Sequence, residues 1–379
     1  MARFLWLFIL EFVCGAGAQI GQVGSPVLVK KPYATISLAA LGIQKHKSMT
    51  DNQLGVALAA HGDLALIGFD PNLHIADLDA ESAIIYRQEE IGDFIYQLHI
   101  YRISLKTKAL LQQITAPFQN VMDQDGGREG NTQVHVAGEV LLIRVNDKII
   151  SLNKETFTKI AEYLIKTGGP PTYYVINKDT IALRLGLASD ETYDWLSVPE
   201  FKPIKSLRVT SLAYDAMASP AETFVLRRDV IYQKVGGTNG IGAYFDNGTS
   251  RQLCTEMLCQ QGVKYLGDSS FLLYGSSGFG VLEVGAGLST TRIINTHTLS
   301  YNCTYDFTNI DPQSMRVGVG VIDCSGYDRA SFFSLATGDE VGIISYHPKP
   351  GWYELALGHG GSIVGVIVNE TLQLYRLPS

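Results

Sequence analysis

The sequence predicts an all-β chain built from one repeated sheet unit, and three observations carry that expectation. Apolar strands joined by tight turns recur along the chain; β-branched runs bounded by Gly and Asp are frequent; and the composition is Gly- and Tyr-rich but poor in charge. Of 379 residues, 38 are Gly and 19 are Tyr, while only 18% are charged. That balance fits short packed strands better than solvated amphipathic helices.

Each element of the repeat begins as an apolar strand, turns, and continues as a second apolar strand. The segments are "GVALAAHGDLALIGFD" from Gly55, "TQVHVAGEVLLIRVND" from Thr132, "YYVINKDTIALRLG" from Tyr173 and "TFVLRRDVIYQKVGG" from Thr223. "KYLGDSSFLLYGSSG" from Lys264, "RVGVGVIDCSGYD" from Arg316 and "YELALGHGGSIVGVIVNE" from Tyr353 continue the series. Most starts are spaced by about 40–50 residues, the period of a four-stranded propeller blade. A small sheet standing alone would leave a face wet, whereas radial stacking buries both faces and leaves only short edges. The expected fold is therefore a single β-propeller of six or seven blades. A β-sandwich or β-helix fits less well, because the units are too many for the first and too long for the second.

Two irregularities refine the expectation. The long first interval contains a further pair of strands, Phe94 to Leu105 and Ala109 to Thr115, which predicts one enlarged or irregular blade. The last unit stops at Leu377 with too few strands for a sheet, so "PVLVKKPYATISLA", Pro26 to Ala39, is expected to return and close the ring.

The N-terminus predicts a secretory route. Arg3 supplies a positive start, Phe4 to Val13 an apolar stretch broken by Glu11, and Ala16-Gly17-Ala18 a cleavage motif; this reads as a signal peptide over 1–18, with the propeller domain over 19–379. Ten apolar residues are too few to span a bilayer, and no later apolar run is long enough, so no stable membrane span is expected. Removing Cys14 leaves Cys254, Cys259, Cys303 and Cys324. Proximity favours the disulfides 254–259 and 303–324, although three connectivities are formally open. Asn247, Asn302 and Asn369 head glycosylation sequons and should lie on the surface. With a net charge of −7 and no basic stripe, a nucleic-acid partner is not expected.

Enzyme motifs are sparse. "GGTNGIG" and "GSSGFG" read as turns, not as phosphate loops, and no G-x-S-x-G occurs. "DQDGGRE", Asp123 to Glu129, resembles half a calcium loop, but Gly127 and Arg128 break the ligand pattern. No metal site and no cofactor are expected. His61 and His359 precede the Gly of a first turn, a position on the end opposite a ligand site.

Ligands of such repeat folds bind where the loops before the innermost strands converge. Those loops carry Asp51 and Asn52; Asp123, Arg128 and Glu129; Tyr173; Tyr214 and Asp215; Tyr305, Asp306 and Asp311; and the dense cluster Tyr346, His347, Lys349, Trp352 and Tyr353. Aromatic rings with scattered charges suit a small hydrophobic or planar molecule, stacked on Tyr and Trp and oriented by a few polar groups.

The cleavage motif, the sequons, the missing catalytic motifs and the closing "GWYELALGHGGSIVGVIVNETLQLYRL" together resemble secreted β-propeller proteins of fungal secondary-metabolite clusters. Within that group the chain looks most like the hetero-Diels–Alderases that join a tropolone o-quinone methide to the terpene humulene. The resemblance implies a cofactor-independent pericyclase in terpenoid biosynthesis. It would have Trp352, Tyr346, Tyr353 and Tyr305 as pocket walls, with His347, Lys349, Arg128 and Asp306 as proton donor, base or oxyanion partner. The alternatives are a secreted, non-catalytic binding module for a small molecule or glycan, and a metal-dependent lactonase-like propeller. The last lacks a convergent ligand set, Asn177 and Asp229 being its nearest candidates.

Overall fold

A computed structural model describes residues 27–29, 31–43, 73–92, 95–119, 132–145, 147–165, 172–187 and 190–210, together with most of 223–378. Its regular structure is 29 strands and one 3-10 turn over 39–41, arranged among the described residues as seven sheets. Sheet I holds β3 (His74–Leu78), β4 (Ser82–Gly92), β5 (Ile95–Ser104) and β6 (Leu110–Gln119). Sheet II holds β7 (Thr132–Ala137), β8 (Val140–Val145), β9 (Lys148–Asn153) and β10 (Lys159–Leu164); sheet III holds β11 (Thr172–Asn177), β12 (Thr180–Leu187), β13 (Asp190–Ser197) and β14 (Pro203–Thr210). Sheet IV runs β15 (Thr223–Arg227), β16 (Val230–Val235), β17 (Gly240–Phe245) and β18 (Ser250–Cys254); sheet V runs β19 (Gly262–Gly267), β20 (Ser270–Gly275), β21 (Gly278–Val284) and β22 (Thr291–Thr298).

The last two sheets share the N-terminal segment. Sheet VI is β23 (Thr304–Asp311), β24 (Arg316–Cys324), β25 (Tyr327–Ser334) and β26 (Glu340–Tyr346), with β1 (Val27–Val29) added in parallel to β26. Sheet VII is β27 (Tyr353–Leu357), β28 (Ile363–Val368) and β29 (Thr371–Arg376), completed by β2 (Ala34–Ser37) antiparallel to β29. The expected return of 26–39 is thus met by β2, while β1 continues onto the neighbouring sheet.

Two sequence expectations are corrected by register. The strands over 95–104 and 110–119 are the ordinary outer pair of sheet I, which has four described strands; the inner hairpin is β3–β4, whose first strand the alternation left unnoticed. The unit proposed from Gly55 lies outside the described residues. "RVGVGVIDCSGYD" is the second hairpin of sheet VI, one strand later than the other units, because Thr304–Asp311 is its first strand.

Meander pairing follows from alternation along each strand. In β29 the burial pattern is iBiBBe, and in β9 it is eBiBBi, the period of two that sets one face against a neighbouring sheet. The second strands are buried on both faces, as in Val140–Val145, because sheets lie on either side. Apolar layers join successive sheets. Ile36, Leu38, Ile367, Leu372 and Leu374 pack on Leu78, Ile85 and Ile103 between sheets VII and I, and Val134, Leu141 and Ile143 pack on Ile84, Leu98 and Ile100 between I and II. Comparable layers lie between II and III, V and VI, and VI and VII. First strands also run side by side, β27 with β3, β3 with β7, β7 with β11, β11 with β15, β15 with β19, and β23 with β27.

Each sheet has an entry end, where its first strand begins, and a far end, where that strand turns. At the far end, polar groups tie three sheets together. His359, in the turn after β27, places Nε2 2.7 Å from Asp77 Oδ1 on β3, and its amide donates to the Leu78 carbonyl at 3.0 Å. Lys154, after β9, reaches Asp77 Oδ2 at 3.3 Å. Burial alone would raise the Asp77 carboxyl, but the His359 hydrogen bond and the Lys154 charge hold it below its ordinary value. Beside this clasp Arg316 donates to the carbonyls of Gly361 and Pro378 at 2.8 and 2.9 Å. Gly361 must be glycine: its φ is +63°, and a Cβ there would sit 2.2 Å from Ser314 Oγ and 2.8 Å from Arg316 Cδ.

Candidate functional site at the entry end

Four successive first strands carry polar and aromatic side chains, at the entry ends of β27, β3 and β11 and in the middle of β7. His74 opens β3 and stands opposite Tyr86 of β4; the two rings stack with centroids 5.1 Å apart. His74 Nδ1 lies 3.4 Å from Glu354 Oε2 on β27, so the pair bridges sheets I and VII. One sheet on, His135 of β7 meets the ring of Tyr173 of β11 edge-on at 5.2 Å. Alternation places His135 here: Val134 and Val136 enter the layer against sheet I, which turns the residue between them toward sheet III.

His135 and Tyr173 differ in their contact with water. Tyr173 is buried, with 1% of its surface exposed, and donates its hydroxyl to the Leu142 carbonyl at 3.1 Å. Burial pushes its phenol well above the ordinary range, which the Arg144 charge partly opposes. His135 is enclosed by protein, which pushes its imidazole down to about 4, yet its ring keeps surface open to solvent. The arc Glu354, His74 and His135, with Tyr86 behind it, offers a carboxylate, a neutral imidazole and aromatic surface.

Two histidines give stability opposite dependences on pH. The hydrogen bond to Asp77 raises His359 above 6.5; its contribution is complete below that value and fades as pH rises through the raised one. His135 is lowered, so stability falls as pH drops from 6.5 toward 4, where the unfolded ring binds a proton that the folded ring refuses. Thermal melts between about pH 4 and 9 should show His359→Ala flattening the profile above neutrality and His135→Gln flattening it on the acid side. His359 is half exposed, so its slope is the shallower of the two.

The residues singled out in the sequence divide by location. His347, Lys349, Trp352 and Arg128 lie outside the described residues, as do Asp51, Asn52, Asp123, Glu129, Tyr214 and Asp215. Tyr346 ends β26 and Tyr353 begins β27, one residue before Glu354. Tyr305 and Asp306 lie within β23, opposite Val321 and Gly320, rather than in the loop before it. Asp311 is at the far end of that strand, buried, and accepts hydrogen bonds from Ser314 N and Oγ at 3.3 and 2.5 Å; it anchors a turn. Tyr173 is a core side chain rather than a pocket wall, because its outer ring face is covered by sheet II.

His74, Tyr86, His135 and Glu354 were missed by sequence reasoning. His135 and Glu354 stand inside "TQVHVAGEV" and "YELALGHGG", so a search of the first strands themselves, rather than of the loops before them, would have found both. Among the described residues no group of three or more His, Cys, Asp or Glu is placed to hold a metal. Cys254 and Cys324 end β18 and β24; Cys259, Cys303, Asn247 and Asn302 are outside the described residues. Asn369 is exposed, in the turn joining β28 and β29, where it and Glu370 adopt φ of 48° and 58°, the paired left-handed conformation of a tight hairpin.

No protein-family model matches the chain, and no curated protein matches it in sequence. Among solved structures it is similar to Raptor from Chaetomium thermophilum, at 10% identity and a TM-score of 0.53 over 87% of this chain; it spans 31% of the Raptor chain. It is also similar to the WD40 repeats of RRP9 (9% identity, TM-score 0.49, 83% of this chain and 99% of that one) and to BamB from Moraxella catarrhalis (13%, 0.40, 80% and 85%). Likeness at these identities concerns the fold alone. The repeated four-stranded antiparallel meanders, packed face to face wherever the layers between them are described, have the architecture of a β-propeller. No helix among the described residues is long and apolar enough to cross a membrane.

Proposed function

We propose that the seven sheets form one closed ring, a seven-bladed propeller completed by β2, and that it binds a planar, partly apolar small molecule at the entry end of its axis. The observation that supports this reading is the polar-aromatic arc of Glu354, His74 and His135 on successive first strands, with the Tyr86 ring stacked on His74. Ring closure rests on the succession of side-by-side first strands and interleaved apolar layers. The chain in this reading is secreted, with the signal peptide removed, the two local disulfides formed and the sequons glycosylated; exposed Asn369 is compatible with a glycan.

Tropolone is a suitable planar probe. Tyr86→Ala should lose about 0.5–1.5 kcal/mol of stacking, up to roughly a tenfold weaker Kd by calorimetry, with little change in thermal midpoint beyond the packing loss. Binding equal to wild type in both Tyr86→Ala and His74→Ala would remove the arc from the site. A pericyclase reading is favoured by one observation, the neutral imidazole of His135 edge-on to the Tyr173 ring, which offers a proton acceptor beside aromatic surface. Here Trp352, Tyr346, Tyr353 and Tyr305 wall the substrate, and His347, Lys349, Arg128 and Asp306 share proton transfer. Product yield and stereochemical ratio from an o-quinone methide and humulene, compared with the uncatalysed background, separate the two readings: a binding module leaves both unchanged.

A further inference from the structure

A second polar cluster, separate from the axial arc, lies on the outer three strands of sheet I. Arg87 of β4 stands opposite His99 of β5, and His99 opposite Thr115 of β6. Glu89 and Tyr101 follow two residues along from Arg87 and His99, so the pleat sets all five side chains on one face. Thr115 Oγ1 lies 3.2 Å from His99 Nδ1, and Glu89 Oε2 lies 2.9 Å from His99 Nε2. The same Oε2 is 3.0 Å from Arg87 Nη2, while Arg87 Nε donates to the Tyr101 hydroxyl oxygen at 3.4 Å. His99 is buried and Thr115 is exposed, so the hydroxyl is at the solvent side of the group.

We propose that Thr115, His99 and Glu89 form an acyl-transfer site for short, unhindered carboxylic esters. A hydroxyl, an imidazole and a carboxylate in that order are the parts that activate an oxygen nucleophile. The carboxylate beside Nε2 favours the tautomer with its proton there, leaving Nδ1 to accept from Thr115. Glu89 approaches out of line with the ring N–H, a looseness common before substrate is bound. In the reaction, Thr115 Oγ1 bonds to the ester carbonyl carbon as its proton passes to Nδ1, and the guanidinium of Arg87 supplies positive charge to the face where the oxyanion forms. The bond to the leaving alcohol then breaks as Nδ1 returns that proton to the departing oxygen. Water attacks the acyl-threonine by the same route, releasing a carboxylic acid and restoring the hydroxyl. A secondary hydroxyl on an open strand suits small acyl groups with good leaving groups.

The test uses the full chain and p-nitrophenyl acetate. Wild type should release nitrophenol faster than buffer, and acid-quenched protein should carry an acetyl group on the peptide containing Thr115. Thr115→Val, isosteric and exposed, should lose at least about 100-fold of the rate above background, while Thr115→Ser should retain it. His99→Gln should abolish the adduct, and tropolone binding should be the same in Thr115→Val as in wild type. No rate above buffer, acetylation confined to lysines, or a Thr115→Val variant as fast as wild type would each overturn the proposal.

Discussion

A chain lacking residues 1–43 should be recovered as aggregate, whereas one lacking only residues 1–30 should fold. The longer deletion removes β2, which pairs with β29 through Ala34–Leu374 and Ser37–Thr371. It also removes Ile36, Leu38 and Ile43, exposed by 2%, 0% and 0%. Three buried aliphatic side chains contribute about 1.5–3 kcal/mol each, a large share of a typical total of about 5–15 kcal/mol. The loss also bares the edge of β29, whose own Leu372 and Leu374 are fully buried in the intact protein, and an unpaired apolar edge is a template for association. The shorter deletion removes β1 alone, whose Leu28 is 46% exposed, and leaves β26 as an outer edge like those of the other sheets. Size-exclusion chromatography and thermal melts distinguish the outcomes. A soluble, cooperatively melting chain without residues 1–43 would show that β2 does not complete sheet VII.

Tyr173→Ala should lower stability by about 3–5 kcal/mol, the range for removing a large buried aromatic side chain. The ring fills the layer between sheets II and III with Ile181, Leu183 and Leu142, and neither sheet can close the gap without breaking its ladder. Tyr173→Phe keeps the ring and loses the hydrogen bond to the Leu142 carbonyl, a change of about 0.5–1.5 kcal/mol. Urea midpoints should rank wild type, Phe and Ala in that order, with tropolone affinity unchanged in the Phe variant. Loss of affinity in Tyr173→Phe without loss of stability would return the residue to the pocket wall.

Much of the architecture was legible because strand hairpins are local. Five units, those from Thr132, Tyr173, Thr223, Lys264 and Tyr353, coincide with the first hairpins of sheets II, III, IV, V and VII, since apolar runs and turn residues suffice to mark them. The sixth slipped by one strand because "TYDFTNID" of β23 is polar along its length and hides a first strand. The β3–β4 hairpin was hidden for a related reason: "HIADL" carries His and Asp at positions used for contacts between sheets, His74 with Glu354 and Asp77 with His359. Sites of this kind join residues far apart in sequence, such as Asp77 and His359, and no local pattern records which first strands become neighbours. Tyr173 was misplaced because a tyrosine beside a loop reads the same whether its hydroxyl meets a ligand or a carbonyl.

The two N-terminal strands also govern when the protein can finish folding. Residues 34–37 find their partners at 371–374, so the earliest-made part of the domain must wait for nearly the last. Six sheets can assemble from near neighbours as they emerge, while the seventh requires closing a loop that spans almost the entire chain. Until then residues 34–43 hold exposed apolar side chains with nowhere to bury them. The slowest step of folding is therefore expected to be the docking of this segment, and sheet VII loses its fourth strand whenever residues 34–37 come away from β29.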